Sequence, residues 1–137
     1  MHKLLQVFPD ASALVDAKPE QLGAQILLLV LKKGTWDSGL FLPRNLNNEL
    51  WPLSYIPGHH PPYPLEKKDA IEQALSEAWA WLERQGLIVP APESSGPMGW
   101  RCLSRRAERV EDIECLAQAV GPSVLLSGLT TITGAHN

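Results

Sequence analysis

Between Leu65 and Arg84 the apolar residues recur at helical spacing, with Ile71, Leu75, Ala78, Trp79 and Leu82 forming one stripe and Ala74 and Trp81 at its margins. Such a stripe predicts an amphipathic helix with one side turned to a core. Gly86, after the polar Gln85, offers the left-handed turn on which helices commonly end. Two strand-sized runs follow, Leu87-Ile88-Val89 and Trp100-Arg101-Cys102-Leu103. The Pro-, Ser- and Gly-rich stretch from Pro90 to Gly99 joins them, which predicts a two-stranded β-hairpin with a long, flexible tip. A helix, a glycine and a hairpin in this order predict the second half of a winged helix.

Upstream, Pro19-Glu20 reads as a helix start, with proline in the first turn and an acid beside it. Leu22, Ile26, Leu29 and Val30 carry its stripe to Lys32-Lys33-Gly34, while Leu27, Leu28 and Leu31 fill the other faces, so this helix is expected at the centre of a core. The residues from Met1 to Val15 hold a weaker pattern broken by Pro9, and are expected to pack as an accessory segment. From Gly34 to Pro64 prolines and isolated aromatics dominate. A loop of that length is unusual in a small domain. Residues 41–50, with Pro43 near the first turn, are therefore assigned a short helix, and residues 51–63 an extended loop held on the core by its aromatics. After the hairpin, Ser104 to Leu116 is predicted as one helix with Val110, Ile113, Leu116 and Ala117 on one side, ended by Gly121-Pro122; the tail from Ser123 is too weakly patterned to assign.

The fold expected is α+β and mainly helical, a winged helix-turn-helix-like domain with a two-stranded wing. One domain spans 1–137, its core at about 19–117, with 1–18 and 122–137 as accessory segments. Length and composition agree, because 137 residues at 45% hydrophobic and 20% charged suit one globular domain. Without an export signal or an apolar run approaching the roughly 18 to 20 residues of a membrane helix, the chain is expected in the cytoplasm, off the membrane.

Candidate chemistry is sparse. His59-His60 has no companion ligands at metal spacing, Cys102 and Cys115 form no CxxC, and Ser94-Ser95-Gly96 lacks the GxSxG setting of an activated serine. Glycine-rich phosphate loops are also missing. The sequence therefore predicts no enzyme, no metal and no cofactor, and two free thiols.

Charge and aromatics carry what functional signal there is. The formal net charge is −3, so any basic surface must be local. Arg101, Arg105, Arg106 and Arg109 concentrate at the return strand and the helix after it, where phosphate contacts would fall. Against that, Arg105 with Glu108 and Arg109 with Asp112 are spaced to pair on a helix and cancel. The helix that would enter a DNA groove has Glu66, Asp69, Glu72, Glu77 and Glu83 outward against Lys67, Lys68 and Arg84, which opposes phosphate attraction. Of the tryptophans, Trp79 is assigned to the core. Trp81, facing elsewhere, either anchors the aromatic loop or lies exposed with Trp51 and Tyr55 as a partner surface.

The run Ala-Leu-Ser-Glu-Ala-Trp-Ala-Trp-Leu-Glu-Arg-Gln-Gly-Leu-Ile-Val-Pro at 74–90, followed by Gly-Trp-Arg-Cys-Leu-Ser-Arg-Arg-Ala at 99–107, resembles the N-terminal module of Ymh-like bacterial proteins associated with abortive infection. The resemblance covers about Leu65 to Val110. It implies a winged-helix-type region that precedes a helical HEPN-type domain in those relatives, for which this chain has no room after Asn137. Ala107 also stands where such relatives commonly have glycine. The resemblance thus implies a recognition or regulatory module in phage defence, without the nuclease chemistry. Two functions follow from the whole sequence. One is nucleic-acid binding through Arg101, Arg105, Arg106 and Arg109; the other is protein interaction or self-association through Trp81, Trp51 and Tyr55.

Overall fold

A computed structural model describes residues 3–34, 36, 39–51 and 62–120. It is mainly helical with a small antiparallel sheet, an α+β arrangement. Two short helices open it, α1 at Leu4–Val7 and α2 at Ala11–Asp16. Asp10 caps α2 by accepting from the Ser12 N–H at 3.2 Å. Leu4, Phe8, Ala11 and Leu14 are all buried in the main hydrophobic cluster.

Helix α3, Pro19–Gln25, starts with proline at its first position, and the Gln21 carboxamide oxygen accepts from the Lys18 N–H at 3.0 Å. It continues into a π-helical segment, Ile26–Leu31, where the Lys32 N–H reaches back five residues to the Leu27 carbonyl at 2.9 Å. As its all-round apolarity predicts, Ile26, Leu27, Val30 and Leu31 are buried.

The short helix expected after Phe41 is present as α4, Pro43–Asn48. One 3₁₀ turn, Leu65–Lys67, then leads into α5, Lys68–Arg84, the longest element. The stripe read from the sequence is its buried side, with Ile71, Leu75, Ala78 and Leu82 fully buried. Trp79 and Trp81 flank it in opposite directions. The Trp79 ring meets Phe41 at 6.4 Å between centroids and its indole N–H donates to Asn47 Oδ1 at 3.0 Å, while Trp81 faces α3. A Cβ added at Gly23 would lie 2.6 Å from Trp81 Cε3, so α3 and α5 cross at a distance that only glycine permits. Gly86, at φ 70°, turns the chain out of α5 as expected, and the Leu87 N–H closes the end on the Leu82 carbonyl at 3.0 Å.

Among the described residues the sheet holds three strands, where the sequence predicts two. Residues Leu40–Phe41 form β1, Ile88–Pro90 β2 and Arg101–Leu103 β3, all antiparallel, with β3 in the middle. Leu40 pairs with Cys102 on one side of β3, and Val89 pairs with Cys102 on the other. The two strand-sized runs expected on either side of the Pro-rich stretch thus pair antiparallel as β2 and β3, and β1 adds a strand that the sequence did not indicate. The tip between β2 and β3 is also more ordered than its composition implies. Glu93–Met98 winds as a 3₁₀ turn, closed by the Gly99 N–H on the Gly96 carbonyl at 3.0 Å and the Trp100 N–H on the Ser95 carbonyl at 3.2 Å.

After β3 the single helix predicted from Ser104 is broken into α6, Arg105–Glu108, and α7, Ile113–Val120. The cap at Asp112 accounts for the break. Ser104 Oγ accepts from the Ala107 N–H at 3.1 Å to start α6, and Asp112 Oδ1 accepts from the Cys115 N–H at 2.9 Å to start α7 afresh. Val110, Leu116 and Ala117 are nonetheless buried together, because the chain re-enters helix in time to return them to the core. Tyr55, His59, His60 and the tail from Gly121 lie outside the described residues.

Candidate functional site

The four arginines singled out in the sequence do not form one open patch. Arg101 lies along the sheet and pairs with Glu83 of α5, and its Nη1 also donates to the carbonyls of Trp100 at 3.0 Å and Gly96 at 3.3 Å. That set of contacts holds the 3₁₀ turn against α5. Arg106 is committed in the same way, its guanidinium donating to the Gln85 carbonyl after α5 and the Ala119 carbonyl in the last turn of α7. A cation at a helix C-terminus is favourably placed against the exposed carbonyls and the macrodipole. Lys32 does the same for α6, with Nζ 3.0 Å from the Ala107 carbonyl and 2.8 Å from that of Glu108.

Arg105 and Arg109 are exposed, and neither has an ion-pair partner among the described residues. Neither pair spaced for them is made among the described residues; for Arg109, the chain leaves helix there and Asp112 spends its carboxylate on capping α7. Free cationic charge at α6 thus comes from Arg105 and Arg109.

The opposite balance holds on α5. Its solvent side presents Asp69, Gln73, Ser76, Glu77, Ala80, Glu83 and Arg84, with Glu72 half-buried at the edge. Four acids therefore face one base along this face. Glu83 is partly neutralised by Arg101. Lys68 at the start of the helix adds little, because it is turned back with Nζ 5.8 Å from the centroid of the Trp51 ring, and the exposed Lys67 stands beside the exposed Glu66.

Beside this face lies a groove of about 370 Å³, walled by Leu42, Pro43 and Arg44 at the start of α4, by Trp79, Ala80 and Glu83, and by Met98, Gly99 and Arg101. Met98 is 73% exposed, unusually so for a large apolar side chain. In the sequence its one signal is a methionine beside a glycine in a Pro-, Ser- and Gly-rich tip.

Two of the three aromatics expected at a partner surface are buried. Trp81 is 4% exposed against Gly23 and Trp51 is 4% exposed, both inside the hydrophobic cluster, while Tyr55 lies outside the described residues. Burial is the better use of Trp81 because the glycine opposite it leaves a slot for the indole ring. Among the described residues no group of histidine, cysteine, aspartate and glutamate converges to hold a metal ion, although all four histidines lie outside them. Cys102 and Cys115 are half-buried free thiols. Among the described residues one titration is displaced. Burial pushes the Tyr63 phenol up to about 12, and its hydroxyl donates to the Phe8 carbonyl at 2.6 Å deep in the core.

No family model, curated protein or solved structure matches the chain.

Proposed function

We propose that the chain is a non-enzymatic winged-helix module that binds a protein partner through the solvent face of α5 and the adjoining 3₁₀ turn. Support for the winged-helix assignment is the order helix, strand, helix, helix, strand, turn, strand, with the last strand paired between the other two. The observation that carries the functional reading is the α5 face itself. Asp69, Glu72, Glu77 and Glu83 against Arg84 would repel a phosphate backbone, whose attraction supplies nearly all sequence-independent affinity for DNA. The groove beside it, with Met98 exposed, offers apolar surface of the kind found at the centre of protein interfaces.

A role in bacterial phage defence, as a regulatory piece in the cytoplasm, rests on the resemblance to the N-terminal module of Ymh-like proteins. That no helix among the described residues is long and apolar enough to cross a membrane is compatible with it. The non-enzymatic part rests on the sequence, which has no serine elbow, phosphate loop or metal-ligand spacing.

A second reading, nucleic-acid binding, is favoured by one observation: Arg105 and Arg109 are exposed and unpaired among the described residues. A photo-crosslinking residue at Ala80 separates the two. The protein reading expects a discrete protein adduct in cells that is lost when Met98→Ser is added. It also expects no such adduct from the same probe at Ser12, on α2. Adducts to nucleic acid alone, or equal adducts at both positions, would contradict it.

A further inference from the structure

We draw no further inference here: the strongest candidate, the groove between the first turn of α4, the C-terminal half of α5 and the 3₁₀ turn before β3, belongs to the face already proposed to bind a partner, and because its rim carries both Arg44 and the Glu83–Arg101 pair nothing in the structure shows what covers it.

Discussion

Single residues set two distances on which this fold depends. Gly23 lets the indole of Trp81 lie against α3, and a methyl group there would sit 2.6 Å from a ring carbon. Gly23→Ala should therefore destabilise by about 1 to 3 kcal/mol, the usual cost of forcing extra volume into a packed core. Urea unfolding with unchanged slope would report it, and a neutral result would mean that the two helices have room to part. Tyr63 gives a second test, through pH. Because burial raises the folded pKa above the phenol's ordinary value of about 10, the group is neutral in both states below pH 10 and its contribution is complete there. Between about pH 10 and 12 the unfolded chain ionises first, so stability should fall, by about 2 to 3 kcal/mol for a shift of this size. Tyr63→Phe should flatten that part of the curve while losing the bond to Phe8, and a profile unchanged by the substitution would assign the alkaline loss to other groups. Backbone strain is confined to Glu93, the one described non-glycine residue at positive φ, 60°. Glu93→Gly should be neutral or stabilising by up to about 1 kcal/mol, whereas Glu93→Ala should bring no such gain.

At the scale of elements, periodicity located the helices well and the breaks between them poorly. The stripe on α5 was legible because Ile71, Leu75, Ala78 and Leu82 repeat over a long segment whose one side meets the core. The strand β1 was not, since two residues carry no alternation and Leu40–Phe41 is a strand only because β3 lies beside it. The interruption at 109–112 was hidden for a related reason. Helical spacing of Val110, Ile113 and Leu116 survives it, and what decides the outcome is a single cap, Asp112. Asp112→Ala should accordingly cost about 0.5 to 2 kcal/mol, and hydrogen exchange should quicken first at the start of α7. Equal quickening throughout would place the cap's role elsewhere. Sequence spacing also separated the faces of Trp79 and Trp81 correctly, yet could not say that both would be buried, because the slot for Trp81 is made by a glycine on another helix. Trp79→Ala should cost about 3 to 5 kcal/mol, as for other large core aromatics, and loses in addition the bond to Asn47.

For the whole molecule, the distribution of charge matters more than its total. A net charge of −3 describes the composition, but the arginines that gave the sequence its basic signal divide in the fold. Arg101 and Arg106 brace the sheet and α7 against α5, so they are structural ties with little charge to spare for a ligand. Arg105 and Arg109 remain exposed on the side of α6. This division could not be read from sequence, because the carbonyls of Gln85, Gly96 and Ala119 that engage the first pair come into reach only through tertiary packing. The candidate groove was equally hidden, its walls being drawn from α4, α5 and the turn before β3.

Whether α5 and the arginines bind a phosphate backbone can be read from the anisotropy of fluorescent duplex DNA and RNA as salt rises from low to physiological. With an acidic α5 and two of four arginines internally bonded, the account predicts no saturable binding even at low salt, and no difference between the unaltered chain and Arg105→Glu with Arg109→Glu. Saturable binding that weakens steeply with salt and disappears in the double reversal would contradict it, and would make Arg105 and Arg109 phosphate contacts of a nucleic-acid-binding module.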